Sequence, residues 1–456
     1  MRLSTTAASR LSADVVRPGY DRAAQAVGIV HFGIGAFHRA HQAWYTDRAM
    51  GQGDRDWMIT GVSLRSADVA TQMNPQDGLY TLSERSAPGI GVRLVGSVRR
   101  VLVASEQPEA VIAELAAPST RIASFTVTEK GYCRAADGSL DFNLAHSQSL
   151  YYFVTQGLRR RRDAGLPGLT LLSCDNLADN GRQLEALMHA YIARHEPDMA
   201  AWFADNCTCP ATMIDRIVPA TTDADREAVA RLSGLDDAAA VVTEPFSQWV
   251  IEDRFAGARP CWHVVGAELV ADVAPYETAK LRMLNGAHSA LAYRGLMAGY
   301  SYVHEAIGDP DLRAMVTRLM LEEAAPTIAA APGQDLSAYA AALIERFANP
   351  ALNHRLIQIA MDGSQKIPQR WLETLAANQR QGRSCPAILS AINAWMNHVR
   401  GDNVAAWGPV DDPMADRLRA VWQAGDRSAA ARALFGAGGL FAQTWTATDN
   451  DLAALS

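Results

Sequence analysis

Short apolar runs and segments of helical periodicity alternate along the first half of the chain. Runs of strand length lie at residues 28–32, 57–64, 92–98, 121–127, 169–174 and 241–243. Between several of them the apolar positions repeat at helical spacing, and the helical segment 149–164 is followed by Gly165, a residue type that commonly ends helices. Strands that alternate with helices predict an α/β fold with a mainly parallel, doubly wound sheet.

The pattern changes near residue 270. From Tyr276 onward the β-branched runs end, and long amphipathic stretches follow at residues 310–325, 336–348 and 386–400. A turn at Gly308 and Asp309 places Pro310 at the start of a helix, where proline is well tolerated. We therefore expect two domains, an α/β domain over residues 1–268 and a mainly α-helical domain over residues 269–456.

Length and composition agree with two globular domains and narrow the choice of partners. The chain has 456 residues, of which 49% are hydrophobic and 20% are charged, and its net charge is -7. An acidic balance argues against nucleic acid or an anionic membrane surface as the main partner. No apolar run approaches the roughly 18 residues of a membrane span. The six cysteines do not have the spacing of a disulfide framework or a metal site, so we expect reduced thiols. Since thiols stay reduced in the cytosol, we expect a cytoplasmic protein.

A Gly33-x-Gly35 turn follows the first predicted strand and precedes a helical pattern over residues 38–50. In dinucleotide-binding domains such glycines let the backbone approach a pyrophosphate, and the helix that follows supplies N–H groups. His38 replaces the third glycine of the usual fingerprint, so an ordinary tight turn is the alternative. The ribose-binding acid is also missing. Arg65, near that place, could contact the 2′-phosphate of NADP, stack on adenine or face solvent, which leaves NAD and NADP both open.

Four polar residues share one side of a predicted helix. An arc of about 140° at α-helical spacing contains Glu277, Lys280, Asn285 and His288. A lysine that faces a closed pocket loses hydration, which lowers its pKa and lets it exchange a proton near neutral pH. Asparagine and histidine side chains could hold the reacting oxygen. The alternative is a surface helix on which Glu277 and Lys280 form an ion pair.

Two further polar segments accompany apolar runs in the first half. One covers residues 173–176 and ends in Asn176, after a predicted strand, where the loops of open α/β sheets line a ligand crevice. Its alternative role is an Asx-type turn that caps the next helix. The other is the Asp215-Arg216 pair within residues 213–219, which could belong to a site or form a structural ion pair.

In their order along the chain, these segments resemble the mannitol dehydrogenase family, the long-chain, zinc-independent polyol dehydrogenases. A Gly-x-Gly-x-Phe-x-Arg-x-His motif at residues 33–41 is similar to the nucleotide turn of that family. The residues Lys280, Asn285 and His288 match its Lys-x4-Asn-x2-His signature. The resemblance extends from about residue 28 to about residue 400, and further similar blocks lie at residues 126–129, 173–176, 213–219, 244–246 and 248–253.

The resemblance implies a Rossmann-type N-terminal domain, a helical C-terminal domain and an NAD(P)-dependent dehydrogenase that uses no metal, with NAD as the favoured coenzyme. It implies Lys280 as the general acid/base and Glu277 as a residue that helps a proton reach solvent. It further implies that the reacting oxygen is bound by Asn176 and Asn285. The substrate hydroxyls would be bound by His288 and Asp215. The coenzyme would be bound by Gly33, Gly35, Phe37, Arg65 and Glu129.

Members of this family act on neutral polyols, such as the pair D-mannitol and D-fructose, or on sugar acids, such as D-mannonate and D-fructuronate. Polyol enzymes carry Glu-Gly-Gly-Tyr and an aromatic residue where this chain has Lys130 and Arg370. Both differences add positive charge, and arginine binds a carboxylate through two parallel hydrogen bonds. We therefore favour reduction of D-fructuronate to D-mannonate over a polyol reaction. The alternative is that both side chains are exposed charges unrelated to specificity.

Other functional classes are less well supported by the residues. A sugar-binding protein without turnover would not need Lys280, Asn285 and His288 together. A zinc-dependent dehydrogenase would need a cluster of cysteine and histidine residues at metal-ligand spacing, which the sequence lacks. The residues leave the oligomeric state open between a monomer and a small homo-oligomer.

Overall fold

The computed structural model describes every residue except Ala136, Leu352 and Asn403. It divides into two compact units, Met1–Val273 and Ala274–Ser456. The division falls a few residues after the boundary between 268 and 269 that the change of pattern suggests. Among the described residues, no helix combines the length and the apolar character that a membrane span requires.

The first unit is organised around a five-stranded parallel sheet of order β5-β2-β1-β6-β7, as the alternating pattern predicts. Two smaller three-stranded sheets have the orders β11-β10-β8 and β4-β3-β9 and mix parallel with antiparallel pairs. The strands are β1 (Val27–Phe32), β2 (Met58–Ser63), β3 (Tyr80–Ser86), β4 (Gly89–Val95), β5 (Val98–Val103), β6 (Ile122–Phe125), β7 (Thr170–Ser173), β8 (Thr212–Asp215), β9 (Val241–Thr243), β10 (Gln248–Glu252) and β11 (Glu268–Val270).

Helices cover both faces of the parallel sheet. The evidence is that alternate residues of its central strand, β1, pack in different buried clusters. Val30 and Phe32 pack with residues of α4, α6 and α7, whereas Ile29 packs with residues of α2. The helices of this unit are α1 (Ala36–Ala40), α2 (Gln42–Gly51), α3 (Asp68–Met73), α4 (Pro108–Ala116), α5 (Thr128–Gly131), α6 (Leu150–Asp163), α7 (Asn180–His195), α8 (Ala200–Asn206) and α9 (Asp223–Ser233).

One predicted strand is wrong. The apolar run at residues 92–98 joins the end of β4 to the start of β5, which belong to different sheets. The chain changes sheet at Gly96, whose N–H donates to the carboxylate of Asp47 at 2.8 Å. A Cβ on Gly96 would lie 2.9 Å from Arg22. An apolar run therefore marks burial here, and the glycine marks the break between the two strands.

The predicted helix over residues 38–50 is two helices. His41 separates α1 from α2 with φ -123° and ψ -97°, values that lie outside the helical region. Its ring lies parallel to that of Phe37 and meets Tyr45 and Trp249 at an angle. Packing of this buried ring accompanies a bend that helical periodicity did not reveal.

The described residues of the second unit are helical, as predicted, and include three short π-helical segments, each called a π-turn below. These are π1 (Lys280–Asn285), π2 (Leu319–Ala324) and π3 (Pro368–Leu372). The helices are α10 (Ala274–Ala279), α11 (Gly286–Met297), α12 (Val303–Gly308), α13 (Pro310–Arg318), α14 (Leu336–Phe347), α15 (Leu356–Ala360), α16 (Gly363–Ile367), α17 (Glu373–Gln379), α18 (Pro386–Arg400), α19 (Val404–Trp407), α20 (Ala415–Gln423), α21 (Arg427–Phe435) and α22 (Asp449–Leu455).

The predicted helix at residues 386–400 is confirmed as α18, and that at residues 336–348 as α14. The predicted helix at residues 310–325 is shorter, because its α-helical part ends at Arg318 and π2 continues it. Its start is correct: Pro310 is the first residue, and the Asp309 side chain accepts a hydrogen bond from the N–H of Asp311 at 2.9 Å.

Candidate active site

The glycine turn after β1 contains two glycines with different surroundings. Gly33 has a φ of +96°, and a Cβ on it would lie 2.0 Å from the backbone oxygen of Thr126. Its N–H donates to the carbonyl of Val62 at 2.9 Å. Gly35 is exposed, and a Cβ on it would meet only the oxygen of Gly33, at 4.0 Å. The protein needs Gly33 for its own packing, whereas the open space at Gly35 fits close approach of a phosphate group.

A chain of buried polar side chains lies beneath this turn. His31 Nδ1 is 2.8 Å from Ser124 Oγ, and this hydroxyl lies 2.8 Å from the side-chain amide of Gln42. His31 Nε2 is 2.9 Å from Thr126 Oγ1, and this hydroxyl donates to the carbonyl oxygen of Gly33 at 2.6 Å. Burial lowers the pKa of His31 to about 3, so the imidazole is neutral at physiological pH. A neutral hydrogen-bonded chain thus holds the Gly33 carbonyl in place.

His38 occupies the position of the third glycine of the fingerprint and packs α1 against β1. Its buried ring stacks on that of His31, with the ring centroids 3.4 Å apart. Burial, together with the neighbouring His31 ring, lowers the pKa of His38 well below its ordinary value. The contact that a glycine usually permits between helix and strand is made here by two stacked imidazoles.

The other residues predicted to bind the coenzyme lie after the carboxyl ends of parallel strands. Phe37 is half-buried in α1, and its ring is parallel to that of His41 at 5.8 Å. Arg65 is exposed just after β2, and Glu129 and Lys130 are exposed on α5, after β6. Carboxyl ends of parallel strands form one edge of a sheet. The first unit therefore brings these residues to the edge that carries the glycine turn.

Asp175, next to the predicted site residue Asn176, connects two strand ends. Its carboxylate accepts hydrogen bonds from the N–H groups of Val127 at 2.9 Å and Thr128 at 3.0 Å, and from the hydroxyl of Tyr132 at 3.0 Å. Burial raises the pKa of this carboxyl. These hydrogen bonds connect distant segments, so Asp175 caps the loop after β6, and they are not the local Asx-type turn that was the alternative interpretation. Asn176 itself is exposed.

Asp215 and Arg216 lie at the end of β8, and both are buried. The Arg216 guanidinium forms an ion pair with Glu84 at 2.7 Å. It also donates to the carbonyl oxygens of Ala40 at 2.5 Å and Glu244 at 3.0 Å. Arg216 is therefore a structural cross-link to β3 and α1, and its ion-pair partner is Glu84 and not the adjacent Asp215.

The predicted catalytic segment of the second unit is a π-turn, so the arc derived from α-helical spacing is wrong. The N–H of Gly286 donates to the carbonyl of Leu281, five residues earlier, where an α-helix uses four. Lys280 and Asn285 are also five residues apart, and the π-turn places them on the same side. In an α-helix about 140° would separate them. Glu277 lies in α10 and, like Lys280 and Asn285, is half-buried.

His288 follows on α11, among aromatic and basic side chains. Its ring stacks on Phe347 with centroids 5.3 Å apart and meets the ring of His354 at 4.7 Å. Burial, followed by the effects of His354 and Arg370, lowers the pKa of His288 well below its ordinary value. A neutral imidazole offers one hydrogen-bond donor and one acceptor, which suits the predicted contact with substrate hydroxyls.

Arg370 lies in π3 and reaches the start of α11. Its Nη1 donates to Ser289 Oγ at 2.6 Å and to the carbonyl oxygen of Asn285 at 3.4 Å. The side chain is half-buried, and burial lowers its pKa to about 10, so it stays charged at neutral pH. The alternative of an exposed surface charge is therefore wrong for Arg370, whereas Lys130 is exposed. The second unit brings Asn285, His288 and Arg370 together.

Lys366 is a further cation near His288 that the sequence analysis missed. Its Nζ donates to the carbonyl oxygen of Met361 at 2.5 Å. Burial and the nearby Arg370 lower the pKa of Lys366. The available signal was spacing, because a lysine four residues before an arginine shares a helical face with it. We call Arg346, Lys366 and Arg370, whose charges all act on His288, the basic cluster.

All six cysteines are free thiols, and five of them are buried. Among the described residues, no three histidine, cysteine, aspartate or glutamate side chains form a group that could hold a metal ion.

A parallel sheet with a glycine turn after its central strand defines the class of dinucleotide-binding α/β proteins. Residues 27–264 match the mannitol dehydrogenase Rossmann domain, and residues 272–444 match the mannitol dehydrogenase C-terminal domain. The chain belongs to the mannitol dehydrogenase family of oxidoreductases, as its motifs indicated.

Known relatives include enzymes named for both substrate classes. The chain is 41% identical to D-mannonate oxidoreductase of Escherichia coli K12 over 94% of its own length and 91% of the relative. It is 40% identical to mannitol 2-dehydrogenase of Pyricularia oryzae, over 90% of the chain and 85% of the relative. Its structure is similar to that of Pseudomonas fluorescens mannitol 2-dehydrogenase in complex with NAD and D-mannitol, with a TM-score of 0.83, 35% identity and coverage of 100% and 95% of the two chains. Overall identity therefore does not separate the substrates.

Proposed function

We propose that this protein is an NAD(H)-dependent reductase that converts D-fructuronate to D-mannonate and does not use a metal. The observation that carries the choice of substrate is the basic cluster around His288. Among the described residues the half-buried Arg370 forms no ion pair, so a substrate carboxylate would compensate its desolvated positive charge. The similarity to D-mannonate oxidoreductase agrees with this choice.

The glycine turn supports the proposed use of a dinucleotide coenzyme. Gly33 gives the turn its shape, and Gly35 leaves room for a pyrophosphate. Phe37, Arg65 and Glu129 would contact the remaining parts of the coenzyme. NADH, when bound, supplies the hydride that reduces the ketone carbon. We favour NAD over NADP because the similar structure of Pseudomonas fluorescens mannitol 2-dehydrogenase is a complex with NAD.

Lys280 would donate the proton that the alkoxide oxygen needs as the hydride arrives, and would accept it in the reverse direction. Asn176 and Asn285 would donate hydrogen bonds to that oxygen, which stabilises its developing negative charge. Glu277 would return a proton to Lys280 from solvent.

The substrate hydroxyls and the terminal carboxylate would be bound by a second group of residues. His288, held neutral by burial, and Asp215 would hydrogen-bond the hydroxyls. Arg370 would bind the carboxylate, with help from Lys130. The guanidinium of Arg370 has donors beyond the Nη1 group that contacts Ser289, so a carboxylate could bind without breaking that bond.

A reaction between D-mannitol and D-fructose is the second candidate. It is favoured by the structural similarity to a mannitol 2-dehydrogenase that was solved with D-mannitol. Basic side chains also donate hydrogen bonds to neutral hydroxyls, so the basic cluster alone permits this reaction.

Steady-state kinetics with D-fructuronate, D-fructose and D-tagaturonate, each with NADH and NADPH, tests the proposal. We expect the highest kcat/KM for D-fructuronate with NADH. A wild-type preference for D-fructose would replace the sugar-acid assignment with the polyol assignment. A chain that binds these sugars without any change in NADH absorbance would instead be a sugar-binding protein without turnover.

A further inference from the structure

The three π-turns of the second unit converge on Gly286, the residue that follows π1. A Cβ on Gly286 would lie 3.3 Å from the backbone oxygen of Arg370 in π3. It would lie 3.7 Å from Leu319 Cδ2 in π2 and 3.7 Å from Trp371 Cδ1 in π3. Glycine weakens a helix relative to alanine, so its presence at the start of α11 calls for a packing reason. The close approach of two other π-turns provides that reason.

Two adjacent side chains of π3 donate hydrogen bonds to carbonyl groups at the junction between π1 and α11. Trp371 Nε1 donates to the oxygen of Gly286 at 3.0 Å, and Arg370 Nη1 lies 3.4 Å from the oxygen of Asn285. Trp371 is fully buried, so water cannot replace its bond. A π-turn has more residues per turn than an α-helix, so neighbouring residues lie closer together around its axis. This geometry helps Arg370 and Trp371 to face the same segment.

The end of π1 determines which way Lys280 faces. A π-turn contains one residue more than the α-helical turn it replaces. Loss of that extra residue from the turn would rotate everything before it by about 100° relative to α11. Lys280 would then leave the side on which Asn285 lies. Groups that hold the carbonyls of Asn285 and Gly286 therefore also hold this register.

We propose that Trp371 is a positioning residue, whose indole N–H keeps π1 in its π-turn register and so keeps Lys280 beside Asn285. Arg370 supports the same junction from the neighbouring carbonyl. This inference rests on the proposed catalytic role of Lys280, and it adds a residue that touches neither substrate nor coenzyme.

The replacement Trp371→Phe removes the N–H donor and keeps an aromatic side chain. Trp395→Phe is a matched control, since Trp395 is also fully buried in the second unit and its Nε1 has no hydrogen-bond partner among the described residues. Displacement of a reacting group by about 1 Å can cost about 100-fold in rate. We expect a kcat that is roughly 10- to 100-fold lower for Trp371→Phe, and within about twofold of wild type for Trp395→Phe.

Two further readouts separate positioning from general destabilisation. The pH profile of kcat should shift in Trp371→Phe, because a displaced Lys280 has a different environment, and should not shift in Trp395→Phe. The affinity for NADH without substrate should be unchanged in both variants. Equal losses of kcat in the two variants, or an unchanged kcat and pH profile in Trp371→Phe, would overturn the proposal.

Gly286→Ala tests the same register without removing a large side chain. Alanine favours the helix, so folding should be retained even if Trp371→Phe does not fold. Its Cβ would press on π3 at the oxygen of Arg370, and we expect a kcat roughly 10-fold lower in a variant that still folds. Full activity in Gly286→Ala would contradict the proposal.

Lys280→Ala distinguishes failure of this inference from failure of the proposed function. If Lys280→Ala is inactive and Trp371→Phe is fully active, the positioning role alone is wrong. If Lys280→Ala keeps its turnover, the catalytic lysine is wrong. A crystal structure of Trp371→Phe then decides whether π1 relaxes to an α-helix, as we expect, or keeps its register, which would overturn the positioning role as well.

Discussion

The glycine turn of the first unit would contact a ligand through backbone atoms, whereas π1 of the second unit would contact a ligand through side chains. The shape of the turn depends on the absence of a Cβ at Gly33, the space at Gly35 is open, and neutral buried groups hold the turn from below. The π1 segment depends on register: an additional residue in the helical turn brings Lys280 and Asn285 to one side. The two regions therefore fail in different ways when they are changed.

Because of this difference, a change in the glycine turn should affect coenzyme binding, whereas a change in π1 should affect turnover. A side chain added at the glycine turn would exclude a phosphate and weaken coenzyme binding, with little direct effect on proton transfer. A change of register in π1 would leave the glycine turn intact and move Lys280, the proposed acid/base. Kinetic and binding measurements on variants of each region can test whether the two functions are as separate as this comparison suggests.

The largest effect is expected from Lys280→Ala. Loss of a general acid/base lowers turnover by about 100-fold or more, and NADH affinity should not change because the glycine turn is untouched. Arg282→Ala is a control from the same π-turn, since Arg282 donates to Thr327 at 2.9 Å instead of serving the proposed chemistry. Stopped-flow turnover and fluorescence titration of NADH measure both quantities. Normal turnover in Lys280→Ala would show that Lys280 is not the acid/base. Weakened NADH binding in this variant would show that coenzyme binding and turnover do not depend on separate regions.

Chelator treatment belongs to the same test, because a catalytic lysine makes a metal unnecessary. Turnover of the wild type should be unchanged after incubation with EDTA. A strong loss that zinc restores would contradict the proposed mechanism.

Arg370→Met is expected to reduce the rate with a sugar acid more than the rate with a neutral sugar. A hydrogen-bonded contact to a charged group contributes about 1.5–3 kcal/mol, which corresponds to roughly 10- to 100-fold in kcat/KM for D-fructuronate. D-Fructose is the internal control, because any effect of Arg370 on π1 should lower both rates alike. Equal losses of kcat/KM with both substrates would show that Arg370 supports the fold of the site and does not bind the substrate carboxylate.

The glycine turn should respond differently at its two positions. Gly35→Val should weaken NADH binding by at least about 10-fold without loss of stability, because the space at Gly35 is open in the protein itself. Gly33→Ala should lower stability as well, since its Cβ would clash with the backbone of Thr126. Thermal unfolding and NADH titration of the two variants make the test. Unchanged NADH affinity in Gly35→Val would refute the phosphate assignment.

The smallest effect is expected from His31→Gln, which keeps hydrogen-bonding groups beneath the turn. The folded-state pKa of His31, about 3, lies below that of an unfolded histidine. Below about pH 6.5 the unfolded chain therefore binds a proton that the folded chain does not, and stability falls as the pH falls. His31→Gln should reduce this slope by about one proton, or roughly 1.4 kcal/mol per pH unit, and weaken NADH binding only a few-fold. Urea unfolding between pH 4 and 7 measures the slope, and an unchanged slope would mean that His31 does titrate in the folded protein.

Local pattern was a reliable guide where one element follows its own periodicity. The strand at β9 and the helix α18 agree with prediction, because a buried run and an amphipathic stripe each report on their own residues. Residues 92–98 were predicted wrongly because hydrophobicity records burial and not sheet membership. The parallel edge that collects Arg65 and Glu129 follows from strand order, which the alternation of elements already suggests.

The family, the α/β and helical halves, the glycine turn and the polar residues of the signature could all be predicted from the amino-acid sequence. The register of those polar residues could not, because it depends on contacts between distant segments. Whether residues 280–285 form an α-turn or a π-turn depends on donors and space supplied by Trp371 and Gly286, which contact each other across 85 positions of sequence. The charges that act on His288 likewise come from separate elements, with Arg346 on α14, Lys366 on α16 and Arg370 in π3. Periodicity reports which side of a segment is buried. An additional residue in one helical turn depends on contacts with particular residues far away in the sequence, and the local pattern contains no information about them.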